Sequence, residues 1–225
     1  MDWHKQRLDD LNVPYGWLSL ISLDWIGDEP QTLDTFPGVW QRRGDGVTVT
    51  FTAEDAVTRN GEPVTGELHL DEHDRTLRDS RGREAEYAPR FGAQMVRVRT
   101  EEFTPRDIPT YPHDEAWTIT VPHRPTDDTV EVRSAQPFGT HTLQGTGYAT
   151  IDGKEMLLTD GLIFSDPTGW RRAPATVSED GATVTIDFNQ STIFPFHLSP
   201  YGTCPTAPAS NHFDRTVEAG EISPQ

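Results

Sequence analysis

A single cysteine, Cys204, occurs in 225 residues. No internal disulfide can form, and nothing demands an oxidising compartment. Lysine is almost missing too. It occurs only at Lys5 and Lys154, and every other basic residue apart from histidine is arginine. No apolar run approaches the roughly 20 residues needed to cross a bilayer. The opening MDWHKQRLDD is charged and lacks the apolar stretch of a secretory leader. The expected compartment is the cytoplasm, with no membrane partner. The glycine patterns G-x-x-x-x-G-K-S/T, G-x-G-x-x-G and G-x-S-x-G are all missing, so nucleotide, dinucleotide and α/β-hydrolase chemistry have no support and no cofactor is expected.

Positive charge is scarce overall. The formal charge of -17 repels nucleic acid and anionic membrane alike, so neither is an expected partner. Acidic residues are spread along the whole chain, which fits solubility at least as well as a cationic partner. Against this polar background stand six Trp and ten Phe. They supply the large apolar surfaces that separate a folded acidic chain from a disordered one. The length admits one large β domain or two smaller ones.

Helical periodicity is confined to the start. Leu8 and Leu11 fit an amphipathic helix ending near Leu11, before Pro14 and Gly16 interrupt it. LSLISLDWI then reads as a strand or a further helical turn. From Val39 onward the pattern is β. Val47, Val49 and Phe51 alternate with threonine, and Asn60-Gly61 and Asp152-Gly153 are two-residue hairpin signals. Short strands at regular spacing predict a mostly β protein of antiparallel sandwich or barrel-like modules, with a short N-terminal helix and a Pro-rich C-terminal tail from Pro195 to Pro208. The proline-dense stretch 103–115 marks a soft seam. Residues 1–102 are expected as one module and 103–225 as a second, unless both form one continuous domain.

The most distinctive segment is DFNQSTIFPFHLSPYGTCPTAPASNHFDRTVEAGE, Asp187–Glu221. It resembles the C-terminal signature of the DUF1684 family, a family of unknown function. In that family a DFN triplet precedes an aromatic-proline stretch, a TCP tripeptide, an Asn after a Pro-rich spacer, and AGE. PYGWLSLISLDWI (Pro14–Ile26) and FSDPTGW (Phe164–Trp170) resemble earlier elements of the same family. The chain departs from the pattern in two places. Trp170-Arg171-Arg172 stands where many members have Thr-Tyr-Gly, and Phe196 stands where many carry a second cysteine. A disulfide or a two-thiolate metal site therefore lacks a partner here. The resemblance implies a β fold and a site location, not an activity.

The candidate site draws on Asp166, Thr168, Asp187, Asn189, His197, Tyr201, Cys204 and Asn211. Asp187 and Asn189 lie two apart on a strand, so both point to one face while Phe188 points to the other. A carboxylate beside an amide suits a sugar, an amine or a metal-bound water. Equally, the two can bond backbone groups of the Pro-rich tail, which lack a sheet partner. His197 is the candidate proton carrier, yet its neighbours Phe196 and Leu198 also fit a packed core histidine. Cys204 lacks a cysteine-hydrolase context and reads as a buried structural thiol. HLDEHD, His69–Asp74, is not the H-E-x-x-H zinc motif and reads as an exposed acidic turn, so no metal is expected. Three functions follow. One is a binding protein with a pocket for a small polar ligand near the signature. Another is a hydrolase or isomerase using His197 or Asp187 as general base. The last is an interaction module using exposed aromatics such as Trp3 and Trp170.

Overall fold

The computed structural model describes residues 2–223. It is mostly β, with every sheet antiparallel and one α-helix, α1, over Trp3–Leu11. The chain divides into two compact units. One runs from Asp9 to Arg106, and the other joins the residues through Leu8 to everything from Asp107 on. Among the described residues, no closed barrel forms in either unit. The sheets are open, as the strand orders show.

The Asp9–Arg106 unit holds a six-stranded and a four-stranded sheet. LSLISLDWI resolves into a single 3-10 turn, Trp17–Ser19, followed by a strand, Leu20–Ile26. That strand borders Ala93–Arg99, which in turn pairs with Glu84–Arg90. Val47, Val49 and Phe51 alternate inward as their pattern predicts and are at most 2% exposed. They join Trp40, Leu77, Tyr87, Val96 and Val98 in one core drawn from both sheets. Trp40, fully buried, meets Phe36 and Phe51 edge-on, with centroids 6.1 and 6.3 Å away. The edge-to-face geometry is the favoured one for aromatic quadrupoles. His69 lies on the strand Gly66–Leu70, while His73 occupies a left-handed turn at φ 63°.

Asn60-Gly61 forms the expected hairpin, with Thr58 opposite Pro63 and Arg59 opposite Glu62. Both turn residues have positive φ, 52° and 88°, as a two-residue loop matching the strand twist requires. Asp152-Gly153 does the same in the second unit, at 51° and 76°.

The second unit carries a five-stranded sheet in the order Lys154–Leu158, Gly147–Ile151, Thr118–Pro125, Thr183–Asp187, Ala175–Val177. Beside it lie a three-stranded sheet, Leu162–Asp166, Gly169–Ala173 and Thr192–Ile193, and a two-stranded ribbon, Thr129–Arg133 with Thr140–Gln144. The stretch before the Asp152-Gly153 turn is two strands, Thr140–Gln144 and Gly147–Ile151, broken at Gly145-Thr146. The core centres on Phe164, Phe188 and Phe213, which meet pairwise edge-on at 5.3 to 5.7 Å.

One local expectation is corrected. The strand carrying Asp187 stops there, and Phe188–Gln190 is a 3-10 turn. The Asp187 carboxylate caps that turn by accepting from Asn189 N at 3.0 Å. An Asx-type bond of this kind competes with continued pairing, so the two-residue alternation ends before Asn189.

Candidate functional site

The signature residues converge in the second unit, but as several separate sets. The most buried is built on the hairpin Leu162–Asp166/Gly169–Ala173. Its turn brings Asp166 opposite Gly169, and Gly169 sits at φ 136°, a region open to glycine. Asp166 Oδ1 accepts from Thr168 N at 2.8 Å and Thr168 Oγ1 at 2.6 Å. Its Oδ2 accepts from Arg171 Nη2 at 2.6 Å and Val217 N at 2.9 Å. Arg171 donates onward to three carbonyls of the signature. Nη1 reaches Ala219 at 2.6 Å and Glu221 at 3.1 Å, and Nη2 reaches Val217 at 2.7 Å. The guanidinium also lies 5.2 Å from the Phe164 ring centroid. Burial opposes ionisation of Asp166, but the bonds from Thr168 and Val217 and the Arg171 charge outweigh it and hold the carboxyl below its usual range. The pair is shut away from solvent, with both side chains at most 1% exposed.

Glu221 extends this clasp. Its Oε2 accepts from Ile193 N at 2.8 Å, and its Oε1 from Arg7 Nε at 3.2 Å. Arg7 Nη2 donates to the Ile193 carbonyl at 3.0 Å. The AGE glycine is required by sterics. Gly220 has φ 72°, and a Cβ there would stand 2.5 Å from the Ser191 carbonyl oxygen.

Asn211 is fully buried and joins neighbouring strands. It accepts from Leu157 N and donates to the carbonyls of Leu157 and Ile163, each at 2.8 Å. Its amide thus completes backbone bonding where Lys154–Leu158 and Leu162–Asp166 leave it open.

Asp187 and Asn189 act on a different segment. Asn189 Oδ1 accepts from Asp114 N, and Nδ2 donates to the Asp114 carbonyl, both at 3.0 Å. Asp187 Oδ1 accepts from Thr118 Oγ1 at 3.2 Å and Oδ2 from Gln190 Nε2 at 2.7 Å. The backbone they hold is that of residues 114–118, not the Pro-rich tail. It forms one wall of a cleft of about 810 Å³ lined by Tyr111, His113, Asp114, Glu115, Trp117 and Glu218. The carboxylate-bearing side chains of the cleft are exposed. Trp117 is half-buried, with the Arg215 guanidinium 5.5 Å from its ring centroid.

Tyr201 and Cys204 lie elsewhere, half-buried in the Pro-rich segment. That segment is tied to the two-stranded ribbon. Ala135 N donates to the Cys204 carbonyl at 2.8 Å, and Gln136 Nε2 donates to the carbonyls of Pro200 and Gly202. His197 packs at 4.9 Å from the Trp170 ring, beside Phe196, which stacks on Trp170 at 5.7 Å. Burial lowers the proton affinity of His197, and a bond to the Trp170 backbone only partly offsets this.

Sequence reasoning passed over Arg171, Glu221 and the cleft residues Asp114, Trp117 and Glu218. Arg171 appeared there only as a departure from the family pattern. One available signal was a charged residue in a strand-length stretch closed by Gly169 and Ala173. Among the described residues, no group of three or more His, Cys, Asp or Glu side chains could hold a metal ion.

Comparison with known proteins places this geometry in a family context. The family model described as Protein of unknown function (DUF1684) matches residues 102–222, a span containing every candidate site residue. No curated protein matches the chain.

Proposed function

Since the chain belongs to the DUF1684 family, we propose that it is a binding protein for a small polar ligand, held in the cleft beside the C-terminal signature. The observation that carries this reading is the paired bonding of Asn189 to both backbone groups of Asp114. A signature side chain spends its whole amide on fixing the wall of an open cleft. Asp114, Glu115 and Glu218 offer acceptors there, beside the faces of Tyr111 and Trp117. Carboxylates next to aromatic faces suit amines and polyols and disfavour anions. The half-buried Trp117 ring already accepts one cation, Arg215, which fits that preference.

Thermal unfolding with separate panels of small amines, polyols and carboxylates tests the reading. A ligand present at a hundred times its Kd stabilises by about 2.7 kcal/mol. Amines or polyols should raise the melting temperature, and Trp117→Ala or Glu218→Gln should remove the rise. A response confined to anions, or one that survives both substitutions, would sink the proposal. Asp187 is not free to serve this ligand directly, because its oxygens accept from Asn189 N, Thr118 and Gln190.

A further inference from the structure

The hairpin that turns at Asp152-Gly153 and the signature residues just after Asn211 line a second cavity in the same unit, of about 340 Å³. Small-molecule sites typically span roughly 300–1,000 Å³, so this one suits a small guest. Lys154 and Met156 are two apart on the strand Lys154–Leu158 and point the same way. Met156 and Phe213 supply the apolar part of the lining. Both belong to the buried core, at 1% and 7% exposure, so packing fixes this surface in place.

The charges around that floor are balanced, although the chain as a whole carries -17. Asp152 and Asp214 are matched by one ammonium, Lys154, and one guanidinium, Arg215. Their pairing is incomplete. Lys154 Nζ donates to Asp214 Oδ2 at 2.9 Å. The other Asp214 oxygen has His212 Nε2 at 4.0 Å, and Arg215 Nη2 stands 3.8 Å from Asp152 Oδ2. Both separations exceed hydrogen-bond range. His212 is held through its other nitrogen, Nδ1, which lies 3.0 Å from Ser165 Oγ. The four charged side chains are 52 to 83% exposed. Ion pairs so open to water hold each other weakly, and exchanging a partner for a ligand's charge costs little.

A simple anion or cation would meet like charge beside its partner in this cavity. A molecule carrying both charges would not. The planar Arg215 fork matches a carboxylate. Asp214 Oδ1 and the Asp152 carboxylate can accept from an ammonium, and the flexible Met156 thioether adapts to an apolar side chain.

We propose that this cavity binds a small zwitterion with an apolar side chain, of the α-amino-acid type, at a site distinct from the acidic cleft. The ligand's carboxylate pairs with Arg215 and its ammonium with Asp214 and Asp152. Its side chain covers Met156 and Phe213.

Methyl NMR of the full chain, ¹³C-labelled at methionine, tests this with leucine as the probe. Met156 lines the cavity, whereas Met95 lies in the Asp9–Arg106 unit and is the internal control for fold and non-specific effects. Leucine should shift the Met156 methyl saturably and leave Met95 in place. Glycine lacks the side chain, isocaproate the ammonium and isoamylamine the carboxylate. Each should bind about tenfold more weakly or worse, through loss of one charged hydrogen bond or one buried apolar group. Asp214→Asn should weaken leucine but not isocaproate, and Arg215→Gln should weaken leucine but not isoamylamine. No saturable shift with leucine, or an analogue that binds as tightly as leucine, overturns the proposal. So does a leucine response that survives both substitutions. Glu218→Gln alters only the cleft and should leave the Met156 response unchanged, so failure here and failure of the cleft reading are separate results.

Discussion

Trp170 and Arg171 are neighbours on one short strand, and their side chains face opposite ways. On the Arg171 side, one guanidinium and one carboxylate collect three carbonyls, two backbone N–H groups and a hydroxyl. On the Trp170 side, an indole N–H, an imidazole nitrogen and a serine hydroxyl are buried without partners among the described residues. The first side has most of its polar capacity committed to the fold. The second keeps capacity in reserve. The lesson is that a cluster of charged signature residues need not be where a ligand binds. Groups already committed to the backbone hold the molecule together, and uncommitted ones are free to meet something else.

The largest way to break this contrast is Asp166→Asn. It leaves Arg171 as a buried charge without its counter-ion, which typically costs about 3–5 kcal/mol. Urea unfolding should show that loss, and a change under about 1 kcal/mol would mean the clasp is not holding the tail. The acid dependence has a definite sign. The carboxyl is held below its ordinary value of 3.8, so its contribution is complete above that pH and is lost as pH falls through the lower folded value.

Asn211→Ala comes next. It strips partners from Leu157 N and from the carbonyls of Leu157 and Ile163. At roughly 1–3 kcal/mol per buried group left unpaired, a loss of about 3 kcal/mol is expected. Hydrogen exchange should localise it, with the Leu157 amide losing protection first.

The smallest effect belongs to His197, and only its pH dependence is diagnostic. Burial pulls its proton affinity below the ordinary 6.5, so the unfolded chain binds the proton more readily. This group's contribution is therefore complete above about pH 6.5 and declines as pH falls below it. His197→Gln should flatten that part of the stability profile while leaving the Asp166 limb, which lies below the ordinary carboxyl value, intact. Equal slopes in the two proteins between pH 5 and 6.5 would show that the imidazole does not sense burial.

What could be read in advance follows the range of the interactions. Asn60-Gly61 and Asp152-Gly153 were legible because a two-residue loop is decided by the residues within it. Phe91-Gly92 makes the same kind of turn, with both φ values positive, and passed unnoticed because phenylalanine is a poor turn residue. The seven-pair ladder of its flanking strands imposes that conformation. The break after Asp187 depends on a side chain capping its own backbone, which an alternation argument does not see. Arg171 was the least legible, since its carbonyl partners lie 46 to 50 residues further along. Residue types placed a polar cluster near the signature. Only the fold distinguishes Asn211, which bonds strands together, from Asn189, which fixes a cleft wall.

The contact between Arg7 and Glu221 has a consequence in time. These residues are 214 positions apart, so α1 is synthesised well before its partner. At roughly 5–20 residues per second, the wait is about 10–40 s. For that interval Arg7 has neither Glu221 nor the Ile193 carbonyl to bind. The Asp9–Arg106 unit is finished long before, so the nascent chain should pass through a stage with one unit folded and the other still lacking its closing strap.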